Sequence, residues 1–164
     1  MELTATYDAL RQRGWLVSEK PSHSFLLPSE IAARYPNIPP RLTAFLGGLQ
    51  TCVDPKQTTW FLCESDFDGT GDSAFRWNEW EKLSLDSFEP NEAGLIGVRA
   101  FWDTHFPFLL SVEGSYSYCA IRVVPDGYGR VVYGREPEFE ETDLVAEFFE
   151  AFLDKCCEGL LDMG

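Results

Sequence analysis

Lysine, arginine and histidine are scarce in this sequence, and their scarcity excludes two classes of partner. The 164 residues include 13 lysines and arginines and two histidines against 27 aspartates and glutamates, which gives a formal net charge of −14 at pH 7. Nucleic acids and anionic membranes are bound through clustered lysine and arginine side chains that neutralise phosphate. We therefore predict binding to neither nucleic acid nor membrane, and a surface that attracts cationic proteins. The alternative, that acidity only keeps the chain in solution, stays open.

The sequence also lacks the cysteine spacing of a disulfide framework or a zinc site. Its five cysteines are an odd number without a Cys-x-x-Cys pair, so they predict reduced, buried thiols in a cytoplasmic protein that holds no metal. The chain does not start with a basic region followed by an apolar run, and we expect no signal peptide. No segment approaches the roughly 20 apolar residues that cross a bilayer. The cysteines are Cys52, Cys63, Cys119, Cys156 and Cys157.

Apolar and aromatic residues, by contrast, are abundant. Hydrophobic residues make up 45% of the chain and aromatic residues 15%. A chain near 150 residues buries roughly 70% of its extended surface on folding, so this composition predicts a packed core. No internal repeat and no long linker divides the sequence, and residues 1–164 are predicted to form a single domain.

Apolar residues at helical spacing predict three short helices in the N-terminal part of the chain. The first covers residues 2–13. The second follows Pro28, with Ser29 as its N-cap, and the third begins at Pro40, with Leu49 on its apolar face.

Runs of β-branched and aromatic residues predict four strands further along. These runs cover residues 58–63, 106–112, 116–124 and 130–134. Polar or glycine-rich segments predict loops at residues 18–24, 66–72 and 86–94. Trp77 and Trp80 fit a short helix between two of these loops.

A closing amphipathic helix is predicted from Asp143 to Cys157. Thr142 is its expected N-cap, and Val145 and Phe148 begin an apolar face opposite a row of carboxylates. Gly159 is the expected end of this helix.

Side chains that could perform catalysis are few and isolated in the sequence. His105 lies just before one predicted strand and Cys119 lies on the next, so pairing of these strands could bring them together as a nucleophile and its base. No cationic residues surround Cys119 to lower the pKa of its thiol, so a structural histidine and an apolar cysteine are favoured. Residues 69–74 imitate a dinucleotide fingerprint, but no strand–helix–strand unit surrounds them. We therefore predict no catalytic residue, no cofactor and no enzymatic activity.

Two acidic segments are the candidate functional sites. The aspartates of residues 66–72 imitate the first half of a calcium loop, but Trp77 occupies the position of the required bidentate glutamate. A solvated turn is favoured, and cation binding is kept as the alternative. From Glu136 to Asp143 five of eight residues are acidic, which suits either a loop leading into the predicted helix or the docking of a basic partner. The candidate partner-binding residues are Glu136, Glu138, Glu140, Glu141, Asp66, Asp68 and Asp72.

Several short motifs resemble one known family in their order and spacing between residues 25 and 157. They are Leu27-Pro28, Ile38-Pro-Pro-Arg-Leu-Thr-Ala-Phe-Leu, Thr59-Trp-Phe-Leu-Cys, Phe75-Arg-Trp-Asn-Glu-Trp, Phe101-Trp-Asp-Thr-His-Phe-Pro, Tyr116-Ser-Tyr-Cys-Ala-Ile, Val131-Val-Tyr-Gly and Ala146-Glu-Phe-Phe-Glu-Ala-Phe-Leu. The set resembles the SUKH superfamily, the Smi/Knr group. That superfamily includes fungal regulators of cell-wall assembly and bacterial immunity proteins of polymorphic toxin systems.

The resemblance implies an α+β fold in which a central, mostly antiparallel sheet is flanked by N-terminal helices and a C-terminal amphipathic helix. It also implies protein binding without catalysis, and it carries over no catalytic residue. Together with the charge, it predicts an immunity protein that neutralises a cognate basic toxin, such as a nuclease, whose substrate groove must be positive. A regulatory scaffold with several protein partners is the alternative. An enzyme that uses Cys119 or a pair of carboxylates is the third hypothesis.

Overall fold

A seven-stranded antiparallel sheet organises the chain in the computed structural model, which describes residues 2–88 and 92–163. Seven helices accompany the sheet within those residues, so the predicted α+β class is confirmed. The elements in chain order are α1 (Leu3–Gln12), β1 (Leu16–Glu19), α2 (Ser29–Arg34), α3 (Pro40–Gly47), β2 (Leu49–Val53), β3 (Thr59–Phe61), α4 (Glu64–Asp68), α5 (Glu79–Asp86), α6 (Glu92–Thr104), β4 (His105–Ser111), β5 (Ser117–Arg122), β6 (Val131–Arg135), β7 (Asp143–Ala146) and α7 (Phe149–Cys157).

Each strand of the sheet pairs with the strand that follows it in sequence, in the order β1-β2-β3-β4-β5-β6-β7. The ladder between β4 and β5 runs from the pair His105 and Arg122 to the pair Ser111 and Ser117. β4 lies near the middle of the sheet, and all seven of its residues are buried. β1 and β7 are the two edge strands.

The two faces of the sheet carry different helices, as two consecutive residues of β3 show. Phe61 packs against Phe152 of α7, with ring centroids 6.4 Å apart. Trp60 points to the opposite face, because side chains alternate along a strand. It contacts Phe75, which in turn contacts Trp80 of α5. α7 therefore covers one face of the sheet and α5 lies on the other.

The predicted closing helix is wrong in its first six residues. Asp143–Ala146 forms β7, and α7 begins only at Phe149, with Phe148 as its N-cap in place of Thr142. Val145, which we expected on the apolar face of the helix, lies in the strand instead. A stretch this short does not distinguish a period of two residues from a period of 3.6, and pairing with β6 decides for the strand.

The first two strands of the sheet are also missed by the sequence prediction. β1 overlaps the predicted loop at residues 18–24, and three of its four residues are exposed, so no alternation of apolar residues marks it. β2 begins at Leu49, which we expected on the third helix. Both strands form because they pair with each other, from Leu16 and Val53 to Glu19 and Leu49.

Two helix boundaries differ from the prediction as well. The loop expected at residues 86–94 gives way to α6, which begins at Glu92 and contains Gly94. Pro90 and Asn91, on which that loop prediction rests, lie outside the described residues. In α2 Ser29 is the first helical residue and the N-cap is Pro28, so Ser29 does not cap the helix.

Replacing Phe61 by alanine should destabilise the fold strongly. The Phe61 ring also contacts Trp15, Phe45 and Phe108, and truncation leaves a cavity among them. We expect the free energy of unfolding, measured by urea denaturation, to fall by about 3–5 kcal/mol. The matched change Phe148→Ala removes a ring that is 53% exposed and should cost less than about 1 kcal/mol. Equal losses in the two variants would contradict this placement of the core.

Candidate functional site

The segment between β6 and β7, residues 136–142, is here called the acidic loop. Its Glu140 points inward, whereas Glu136 is exposed and hydrogen-bonded at the surface. Glu136 accepts a hydrogen bond from the Tyr116 backbone N–H at 2.8 Å. Glu140 accepts one from the Ser84 hydroxyl at 2.7 Å and another from the Trp102 indole N–H at 3.0 Å. Both carboxylates therefore attach the loop to the body of the protein.

Phe139 provides the apolar attachment of the acidic loop. It is 4% exposed, and its ring is almost parallel to that of Trp80, with centroids 5.9 Å apart. The Tyr118 hydroxyl donates a hydrogen bond to the Phe139 carbonyl. Gly134 makes this contact possible, because a Cβ there would lie 2.6 Å from the Tyr118 hydroxyl oxygen.

The other acidic side chains of this region are exposed. Glu138 and Glu141 of the acidic loop and Asp143 at the start of β7 all lie on the surface. They line a groove of about 460 Å³, here called the acidic groove, together with Tyr133 and Arg135 of β6. Phe139 and Glu140 thus point inward, while Glu138 and Glu141 on either side of them are exposed, and the exposed Glu136 also lines the acidic groove.

The second candidate segment, residues 66–72, begins inside α4 and is less of a loop than predicted. Asp66 is partly buried and caps the start of α4, where its carboxylate accepts the Cys63 backbone N–H at 2.8 Å. Burial raises the pKa of this carboxyl above its usual value. Asp68 accepts hydrogen bonds from the Thr70 N–H and hydroxyl, and Asp72 is exposed.

These hydrogen bonds favour a structured turn over a calcium site. The carboxylates of Asp66 and Asp68 bind nearby backbone N–H groups and do not converge on one point. Within residues 2–88 and 92–163, no group of three or more histidine, cysteine, aspartate or glutamate side chains is arranged to hold a metal ion.

His105 and Cys119 are not brought together by the sheet. In the β4–β5 ladder His105 lies opposite Arg122, whereas Cys119 lies opposite Leu109. The Nδ1 of His105 is 2.9 Å from the Phe101 carbonyl oxygen, so this nitrogen carries the proton. Burial lowers the pKa of His105, and burial raises the pKa of the Cys119 thiol far above its usual value.

Most basic side chains are bound within the protein. Among the contacts of the described residues, seven of the 13 pair with carboxylates, and two more, Arg13 and Lys155, donate to backbone carbonyls. Arg34 makes the most extensive of these pairings, since its guanidinium donates two bonds of 2.8 Å to Glu81 and a third to Asp103. Because each ion pair also neutralises a carboxylate, the excess of 14 acidic residues remains and dominates the surface.

Two exposed apolar side chains near the acidic loop were missed as candidates for binding. Leu144 is 54% exposed on β7 and Phe148 is 53% exposed just after it. Phe148 was expected on the buried face of the closing helix, but it precedes α7, because Asp143–Ala146 forms a strand and the helix begins only at Phe149. No sequence signal could have indicated this, because Leu144, Val145 and Ala146 are all apolar and fit a strand as well as a helix.

In comparisons with protein-family models, with curated proteins and with solved structures, nothing matches this chain. The SUKH resemblance therefore stays a prediction from the motifs. In the part of the chain that the structure describes, no helix has the length and apolar character to cross a bilayer.

Replacing Glu140 by alanine should destabilise the protein, because the Trp102 indole and the Ser84 hydroxyl lose their shared acceptor. We expect a loss of about 1–3 kcal/mol in the free energy of unfolding, measured by urea denaturation. The neighbouring change Glu138→Ala removes an exposed carboxylate and should stay within about 0.5 kcal/mol of the wild type. If Glu138→Ala costs as much as Glu140→Ala, the division into inward and outward glutamates is incorrect.

Alkylation of the native protein with iodoacetamide should label Cys157 before the other four cysteines. Cys157 is only partly buried, whereas the other four are buried. Burial also keeps the Cys119 thiol protonated. Peptide mass spectrometry after brief labelling should find Cys119 modified only in urea-unfolded protein. Rapid labelling of native Cys119 would instead indicate an accessible, activated thiol.

Proposed function

We propose that this protein acts without catalysis, by binding a basic protein through the acidic loop and covering its positive surface. Combined with the motif resemblance, the proposed role is that of an immunity protein that neutralises a cognate toxin in the cytoplasm. A nuclease toxin suits this role, because its phosphate-binding groove must carry clustered positive charge.

The observation that carries the proposal is the way the acidic loop presents its charges. Phe139 and Glu140 hold the loop against the body of the protein, while Glu138 and Glu141 remain on the surface. A loop that is already held in place loses little conformational freedom when a partner binds, so more of the interaction energy contributes to affinity. This arrangement supports recognition of a partner rather than a role in solubility alone.

The overall charge supports the same proposal. A net charge of −14 attracts a cationic partner from a distance and accelerates encounter, as neutralisation of a toxin requires. Close to the surface, the exposed carboxylates of the acidic groove offer acceptors for lysine and arginine side chains.

Co-expression with the protein encoded by the neighbouring gene tests the proposal directly. We expect that protein to arrest growth of bacterial cells when expressed alone, and growth to be restored when this chain is co-expressed. Isothermal titration calorimetry with the two purified proteins should detect a complex. If no neighbouring toxin binds this chain or is neutralised by it, the proposal fails.

Two pairs of substitutions distinguish local docking from overall charge. Glu138→Gln with Glu141→Gln removes two charges from the acidic loop, and we expect the dissociation constant to rise about tenfold, equivalent to about 1.4 kcal/mol. Glu30→Gln with Glu158→Gln removes two exposed charges elsewhere and should change it less than about threefold, because salt screens distant charges. Equal effects of the two pairs would place docking outside the acidic loop.

A further inference from the structure

The alternating pattern of backbone hydrogen bonds shows which residues of the two edge strands point their N–H and carbonyl groups away from the sheet. In an antiparallel strand, residues whose N–H and carbonyl point to one neighbour alternate with residues whose groups point to the other. Two bonds tie the ends of β6 to β5, one from the Glu136 N–H to the Tyr116 carbonyl and one from the Arg122 N–H to the Arg130 carbonyl. Residues 130, 132, 134 and 136 therefore face β5, and Tyr133 faces β7.

Leu144 is the residue of β7 whose backbone points away from the sheet. Asp143 lies opposite Tyr133, which faces β7, so Asp143 bonds to β6. Leu144 lies opposite Val132, which faces β5, and this pair is still in register with that of Asp143 and Tyr133, so the N–H and carbonyl of Leu144 are directed to the free edge. The register shifts only beyond this pair, between Val131 and Val132, where Val145 is an additional residue of β7. Within the described residues no further strand lies beside β7.

At the opposite edge the corresponding position is covered. The Asp54 N–H bonds across to β3, so Cys52 also faces β3, and Val17, which lies opposite Cys52, points outward. The Arg11 guanidinium donates to the Val17 carbonyl at 3.2 Å and is held there by Glu19 at 2.9 Å. A long cationic side chain in this position protects an edge strand from pairing with another chain.

The β7 edge is protected only in part, and its surroundings favour one kind of occupant. Lys155 donates to the carbonyl of Val145, the residue at which the β6–β7 register shifts, so both protecting features lie beyond Leu144 as seen from the acidic loop. The exposed side chains of Asp143, Leu144 and Phe148 combine negative charge with apolar surface. An extended segment that carries both cations and apolar residues matches this combination.

We infer that an extended, lysine- or arginine-rich segment of the basic partner adds to β7 as an additional strand. Its backbone pairs with the N–H and carbonyl of Leu144, and its cationic side chains lie against the carboxylates of the acidic groove. This inference rests on the proposed function, because it specifies how the same acidic surface holds its partner. A second copy of this chain is disfavoured as the occupant, since it would bring two acidic loops and two charges of −14 together.

Amide exchange in the presence of a synthetic probe tests the inference without knowledge of the natural partner. The probe is acetyl-Lys-Val-Lys-Val-Lys-Val-Lys-amide, and the matched control replaces its central valine by proline, which keeps the charge and prevents strand pairing. NMR-detected exchange of the Leu144 amide should slow about tenfold with saturating probe and change little with the proline control. The Val17 amide, at the covered edge, should be unaffected by either peptide.

Proline substitutions at the two outward positions provide a matched pair of variants. Proline is tolerated in an edge strand where the N–H faces solvent, which applies to both Leu144 and Val17. Leu144→Pro should weaken binding of the alternating probe about tenfold in a titration, and Val17→Pro should leave binding unchanged. If Leu144→Pro fails to fold, exchange of the Leu144 amide in the unsubstituted protein decides alone.

Several outcomes would overturn the inference. Equal binding of both peptides, without slower exchange at Leu144, would mean that charge alone attracts them. Protection of Val17 instead of Leu144 would assign the open edge to β1. Protection of Leu144 that grows with protein concentration in the absence of probe would identify a second copy as the occupant. If the neighbouring toxin binds through Glu138 and Glu141 while Leu144 stays unprotected, strand addition fails and the proposed function survives.

Discussion

The attachment of Phe139 and Glu140 to the body of the protein is the interaction on which the rest of the surface depends. Neighbouring carboxylates repel one another, and a free segment with this many charges would extend into solvent. Stacking of Phe139 on Trp80 and the two hydrogen bonds to Glu140 oppose that repulsion. The outward position of Glu138 and Glu141 is therefore a consequence of what their neighbours bury.

The few basic residues explain both the charge of the surface and the difference between the edges. Arg34 joins α2 to α5 and α6 through Glu81 and Asp103. Arg11 covers the outward carbonyl of β1, and Lys155 covers one carbonyl of β7. With 13 basic against 27 acidic residues, these pairs still leave a large excess of negative charge. The two edges differ because Arg11 reaches the outward carbonyl of β1, whereas Lys155 reaches Val145 rather than Leu144.

The sequence was sufficient to predict the elements whose pattern is strong over many residues. The strands around Phe106, Tyr118 and Val131 were predicted to within a few residues, since long β-branched and aromatic runs mark them. β1 was not predictable from its own residues, because only pairing with β2 makes the exposed segment Leu16–Glu19 a strand. β7 was predicted as helix for a related reason, since its four residues fit either period.

The candidate site was predictable in location but not in detail. Sequence alone indicates an acidic segment at residues 136–143, yet it cannot tell that Glu140 binds Trp102 while Glu138 faces solvent. That division depends on contacts between residues 38 and 56 positions apart in the chain. The exposure of Leu144 depends in turn on β7 being a strand, so no pattern local to the acidic loop reveals it.

The central claim is that an acidic surface, held in place by buried anchors, captures a basic protein. The most direct test measures the rate of association with the toxin encoded by the neighbouring gene, by stopped-flow fluorescence over a range of salt concentrations. The account predicts fast association at low salt and a steep decrease as salt screens the attraction, with dissociation changing much less. An association rate that does not depend on salt would contradict it.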